Sequence, residues 1–174
     1  RDVTAQRKFI QELQKSEETF RTLVEQLPAS VYLLEADAAQ TPRYFSPRHE
    51  QVTGYSLEEA LNRTEHWLKV VHPDDRERVR AELERSQKTE TAFEIDYRYI
   101  RKDGDIRWIH DHCDAVRDAS GKVVAWLGTM LDFTERIEAE AMQARLAAIV
   151  EAAADGILST DRDGTILSWN RGAE

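Results

Sequence analysis

Basic residues, cysteine and long apolar runs are all scarce, and each shortage closes off a class of function. Twenty-four Lys and Arg stand against 33 Asp and Glu in 174 residues, a net charge of −9. Wrapping nucleic acid or lying on anionic lipid needs a basic face, so neither partner is expected. The single cysteine, Cys113, closes no internal disulfide and no CxxC metal site, which fits a reducing, cytoplasmic setting. No apolar run approaches the roughly 18 residues of a membrane span, and no secretory signal opens the sequence. No Gly-rich phosphate loop follows a strand. With five His and one Cys, no catalytic constellation emerges, and a non-enzymatic chain is expected.

What remains has the composition of a globular chain, 41% hydrophobic and 33% charged. Its length suits one full domain and little more. An internal repeat organises it. Asp2-Val3-Thr4 returns as Asp132-Phe133-Thr134. A charged, Ala/Glu/Gln/Arg-rich segment follows each copy and runs into Val24-Glu25 or Val150-Glu151. An apolar stretch comes next in both, then a strand-like segment ending at Ser46 or Asn170. The expectation is a slice of a tandem array. Residues 1–4 would be the tail of one unit, 5–27 a linker or coiled-coil helix, and 28–134 a complete unit. Residues 135–154 would be a second linker helix and 155–174 the truncated start of the next unit. A two-stranded hairpin alone is marginal in water, so 156–174 is expected to fray or to dock on another chain.

Residues 3–26 read as a helix. Phe9, Leu13, Phe20, Leu23 and Leu27 form a heptad stripe with Ser16 at its weak position, which points to a two-chain seam, the alternative being a lone amphipathic helix lying on its own domain. Pro28 ends it. Short strands are expected at 30–36 and 42–46, then short helices over 47–71 broken at Gly54. His72-Pro73-Asp74-Asp75 opens a helix to about Lys88, with proline at its start, aspartates at its positive end, and Val79 and Leu83 buried. Phe93, Ile95, Tyr97 and Tyr99 alternate with charged residues, the period of a half-buried strand. The Asp103-Gly104 pair favours a tight hairpin. Further strands run from Ile106 to Val116 and from Lys122 to Asp132, and a helix follows over about 134–154. In His110-Asp111-His112-Cys113, alternation puts the two imidazoles on one face and Asp111 and Cys113 on the other. Two imidazoles fall short of a zinc ligand set, so no metal is expected.

The order of these elements resembles the PAS sensor domain, in the subtype with an RWI signature on its penultimate strand. The matching stretches are FRTLVEQLP, RYFSPRHEQVTGYSLEEAL, WLKVVHPDDRERV, YRYIRKDGDIRWI, AVRDASGKVVAWLGTMLDFTER and IVEAAADGILSTDRDGTILSWNRGAE. The resemblance implies an α+β fold. It has a five-stranded antiparallel sheet, short helices on one face, a cavity between them, and N- and C-terminal signalling helices. By alternation the cavity is expected to be lined by Phe93, Ile95, Tyr97, Tyr99, Ile109, Asp111, Cys113, Val124, Trp126 and Met130. Three large aromatics there could equally fill the space. An inward Asp111 needs a partner, because a lone buried carboxylate is costly. The resemblance makes Asp132 and Thr134 the relay from sheet to exit helix, with Thr134 suited to an N-cap.

It implies three functional readings. The first is a non-catalytic sensory input and dimerisation module. It passes the state of a small-molecule ligand, redox centre or partner to an output domain, a histidine kinase or a cyclic-di-GMP enzyme. Its partners are a second copy, through the flanking helices and the outer sheet face (Trp108, Val123, Ala125, Leu127, Leu131), and adjacent PAS and output domains. The second is a ligand-free dimerisation spacer. The third is a heme or flavin redox sensor, with His66 and Trp126 as the loosely matching heme residues. Glu65 stands where photosensory flavin members carry a cysteine, so that adduct is not expected. Otherwise the cofactor is none or unknown.

Overall fold

The computed structural model describes residues 3–37, 39–62 and 67–174. They fall into two units, one ending at Phe133 and the other spanning Thr134–Glu174.

The first unit begins with helix α1 (Val3–Gln26). Val24 is its buried residue, whereas Phe9, Leu13, Phe20, Leu23 and Leu27 are all more than 40% exposed. The stripe is therefore not used to pack the helix on its own unit. Pro28 follows, and the chain enters β1 (Ser30–Glu35) and β2 (Pro42–Phe45). Helix α2 (Arg48–Thr53) stops at Gly54, whose φ of 77° is a left-handed cap that a side chain would strain. Helix α3 (Leu57–Leu61) opens with a capping box, Ser56 and Glu59 each bonding the other's backbone N–H. Two 3₁₀ turns, Trp67–Val70 and Pro73–Asp75, lead into α4 (Arg76–Thr89).

The His-Pro-Asp-Asp segment opens the helix as expected, with Pro73 at its start and both aspartates in the first turn, and its side chains also bond elsewhere. The His72 side chain accepts the Asp74 N–H. Asp75 turns away from the helix start to the sheet, where the Arg98 N–H and Nε–H both donate to it at 2.9 Å. Bonding to Arg98 holds the Asp75 carboxyl below the usual carboxylate range.

Three long strands complete the sheet: β3 (Phe93–Ile100), β4 (Ile106–Arg117) and β5 (Val123–Asp132). The order is β2-β1-β5-β4-β3, every neighbouring pair antiparallel. The α+β, PAS-like architecture expected from the sequence is the one found. Tyr97, Ile109, Val71 and Val79 are the large, fully buried apolar residues at its core.

One register irregularity corrects the alternation reading. Ala115 pairs with Trp126 and Val116 with Ala125, but Arg117 pairs with Val123. Val124 is the extra residue of a β-bulge, which rotates the strand locally. Val124 is consequently 40% exposed and outside the cavity wall. Val123, expected on the outer face, instead packs against the core.

The second unit consists of α5 (Thr134–Ala152) and a hairpin of β6 (Leu158–Thr160) and β7 (Ile166–Trp169). From the sequence this hairpin is expected to fray or to dock on another chain; within this chain it is bonded to the end of α5. Asn170, 2% exposed, clasps it to the end of the helix. Its Oδ1 accepts the Ile157 N–H at 2.7 Å, and its Nδ2 donates to the carbonyls of Val150 and Asp155 at 2.8 and 3.0 Å. A side-chain amide thus ties the hairpin to the helix through three hydrogen bonds.

Candidate functional site

Between the sheet and helices α2–α4 lies a cavity of about 620 Å³. That is within the roughly 300–1,000 Å³ usual for small-molecule sites. Its large aromatics line the space without filling it. Trp67 meets Phe93 edge-on at 6.2 Å and Tyr97 at 6.0 Å between ring centroids. Phe45 lies against His49 at 4.1 Å. Exposed Leu61, Asn62 and Gln87 lie on the solvent side of the lining.

Of the residues singled out from the sequence, Phe93, Tyr97, Tyr99, Asp111, Cys113, Trp126 and Met130 line this cavity. Ile109 is fully buried in the core behind it, and Ile95 packs against the same core without reaching the cavity wall. Val124 is excluded by the bulge. Glu65 and His66 lie outside the described residues.

The polar end of the cavity is built by three strands. Asp111 on β4 is 4% exposed. The Tyr32 hydroxyl donates to its Oδ1 at 2.8 Å, and the Tyr97 hydroxyl to its Oδ2 at 2.9 Å. Burial pushes the Asp111 carboxyl up to about 6, while the two tyrosine bonds oppose that rise. Burial and the adjacent anion push both phenols well above their ordinary value. Burial likewise pushes the Cys113 thiol up to about 12. Its thiolate is therefore negligible at neutral pH, and Cys113 is unsuited to nucleophilic or adduct chemistry.

Tyr32 was not singled out from the sequence, and its reach depends on a glycine. Tyr32 on β1 pairs with Gly128 on β5, and β5 separates it from Asp111 on β4. A Cβ at Gly128 would sit 2.2 Å from the Tyr32 Cζ. The tyrosine ring crosses β5 over this bare position. A glycine inside a strand signals such a close approach, so the pairing had a trace in the sequence. His49, also missed, sits 3.1 Å from the Ser30 hydroxyl through its Nδ1.

No Lys or Arg is found among the described residues lining the cavity. On the opposite face of the sheet, His110 pairs with Asp96 at 2.7 Å and His112 with Asp114 at 2.9 Å. Among the described residues no cluster of His, Cys, Asp and Glu is arranged to hold a metal.

At the far end of β5, Asp132 pairs in register with Ile109 and lies 3.9 Å from the Arg107 guanidinium. The Phe133 N–H donates to the Trp108 carbonyl at 3.0 Å. Thr134 was expected as an N-cap; it is buried and is itself the first residue of α5. Among the described residues no helix is long and apolar enough to cross a membrane.

Comparison with known proteins agrees with this architecture. The family described as "PAS fold" matches residues 42–130, just over half of the chain, and that described as "PAS domain" matches residues 144–174. The protein y4lL of Sinorhizobium fredii, described as uncharacterized, is 30% identical over 139 residues, covering 80% of this chain and 16% of its own length. The methyl sulfide methyltransferase-associated sensor of Methanosarcina acetivorans is 31% identical over 106 residues, covering 59% of this chain and 10% of its own. The chain thus spans under a fifth of these relatives. Among solved structures, the N-terminal domain of a diguanylate cyclase with PAS/PAC sensor from Marinobacter aquaeolei is 29% identical. It covers 62% of this chain and 97% of its own, with a TM-score of 0.56. The sheet order, the cavity and these matches agree: the chain belongs to the PAS family of sensory signal-input domains.

Proposed function

We propose that the cavity is the input site of this module and that its state is relayed along β5 through Asp132 and Thr134 into α5. The observation that carries this reading is the construction of β5. Trp126 and Met130 stand on the cavity wall, and Asp132 closes the same strand two residues later. A ligand that favours one sheet arrangement over another shifts the exit helix only through such a connection. The proposed organisation is a preceding PAS tail at 1–4, a linker helix at 5–27, a complete domain at 28–134, a second linker at 135–154 and the head of another PAS unit at 155–174. The proposed output is a histidine kinase or a cyclic-di-GMP enzyme elsewhere in a cytoplasmic protein. The proposed self-association runs through the flanking helices and the outer sheet face.

The test is Asp132→Ala in the full-length protein, with its oligomeric state checked by analytical ultracentrifugation. Altered output from an intact dimer supports the relay. Unaltered output overturns it in favour of the spacer reading, which the exposed Phe9–Leu27 stripe favours. A redox-sensor reading draws only on Trp126 at the cavity wall. A Soret or flavin band in the absorption spectrum of the purified protein would revive it.

A further inference from the structure

Among the described residues, the cavity contains a charge without a counter-charge. Asp111 is buried, and the two groups bonded to its oxygens, Tyr32 and Tyr97, are neutral phenols. From β5 it faces Met130, its register partner, and from β3 it faces Ile95. Its sequence neighbours His110 and His112 lie on the opposite face and pair there with Asp96, Glu94 and Asp114. From α2 the cavity receives His49, whose Nδ1 is beside the Ser30 hydroxyl. Helix α4 contributes Leu83, Ser86 and Gln87, none of them charged. Burying an unpaired carboxylate is costly, and this one is held at the end of an open cavity instead of being packed away.

The surroundings of Asp111 define what would match it. Each carboxylate oxygen accepts more than one hydrogen bond, so each still has capacity beyond its tyrosine. Tyr32, Phe45, Tyr55, Trp67, Phe93 and Trp126 supply aromatic walls. The negative faces of such rings attract cations, the more so when the cation is desolvated. An anionic ligand would meet repulsion from Asp111. A neutral apolar ligand would leave the carboxylate uncompensated.

We propose that the cavity binds an organic monocation, an ammonium on an apolar or aromatic body, with its nitrogen at Asp111 between the Tyr32 and Tyr97 hydroxyls. The assignment rests on the reading of the cavity as the input site and adds the charge and class of its ligand. The aromatic body supplies apolar burial, and the ammonium supplies the opposite charge that no described residue gives the carboxylate.

Three probes of nearly equal shape separate these terms: phenethylammonium, 2-phenylethanol and 3-phenylpropionate. Each is titrated calorimetrically into the whole chain at pH 7.5, at up to millimolar concentration. The expected order is ammonium, alcohol, carboxylate. The ammonium should bind about tenfold more tightly than the alcohol, the margin of a charged over a neutral hydrogen bond. In Asp111→Asn that margin disappears, while 2-phenylethanol still binds and so reports an intact cavity. The ranking in the unsubstituted protein stands whether or not the variant folds. If the alcohol or carboxylate equals or exceeds the ammonium, the charge assignment is overturned and a ligand-binding cavity remains. If no probe of any charge binds, the cavity as input site is overturned as well.

Discussion

Replacing Asp111 with asparagine should stabilise the domain at neutral pH, although it alters a buried, hydrogen-bonded polar site in the sheet. The folded chain holds the carboxyl at about 6 against an ordinary 3.8. A carboxyl raised in this way binds its proton more tightly in the folded than in the unfolded state. Its contribution is therefore most favourable below about pH 4, declines as pH rises from about 4 to about 6, and is flat above that. The difference between 3.8 and about 6 amounts to about 3 kcal/mol at ~1.4 kcal/mol per pH unit. Asparagine mimics the protonated acid. Its oxygen accepts one tyrosine hydroxyl, and its amide donates to the other phenolic oxygen. The variant should thus exceed the parent by about 1–3 kcal/mol at pH 7, the lower figure allowing for weaker neutral bonds to Tyr32 and Tyr97. Urea unfolding of both proteins from pH 4 to pH 8 is the assay. The difference between the two curves isolates this one carboxyl from every other titrating group. The gap should be near zero at pH 4 and open fully by pH 7. A parent that remains the more stable at pH 7, or a gap independent of pH, would refute the claim that Asp111 is an ionised group with no counter-charge among the described residues.

Other outcomes follow from the same geometry. Gly128→Ala places a methyl 2.2 Å from the Tyr32 ring; overpacking should cost about 1–3 kcal/mol in urea unfolding. It should also steepen the fall in stability between pH 4 and 7, because Asp111 loses its Tyr32 bond. Val124→Asp should be nearly neutral, whereas Trp126→Asp should abolish cooperative unfolding. Equal effects at the two positions would remove the bulge from the account. Asn170→Ala breaks the clasp between α5 and the hairpin, leaving the Ile157 N–H unmatched, while the Val150 carbonyl keeps only the Ala153 N–H. Amide exchange at Ile157 should accelerate at least about tenfold, from the ~1–3 kcal/mol of an unmade bond. Unchanged exchange would show that Asn170 does not hold the hairpin.

The sequence conveyed the fold more fully than the site, for physical reasons. Alternation from Phe93 to Tyr99 is a local signal with a fixed period, as are the helix limits set by Gly54 and by the segment around Pro73. Their structure therefore stays close to the pattern. Val123 and Val124 broke it because a bulge is decided by pairing with Val116 and Arg117, which no local period encodes. Asp75 stands at the helix start as its local pattern implies, but its bond to Arg98, on another element, has no local signal. Tyr32 was missed for the same reason: its bond to Asp111 crosses an intervening strand at Gly128. The contacts that give the cavity its polar end are all between distant parts of the chain. Asp111, an acidic residue in inward phase, and Gly128, a glycine inside a strand, were the two local traces of such contacts.

The central claim is that what occupies the cavity is felt at the start of α5. Hydrogen exchange across residues 93–140, free and with saturating phenethylammonium, measures this directly. The account predicts altered protection at the cavity strands and also at the amides of Phe133 to Arg136, beginning with the Phe133–Trp108 hydrogen bond. Protection altered around Asp111 with residues 133–136 unchanged would contradict it.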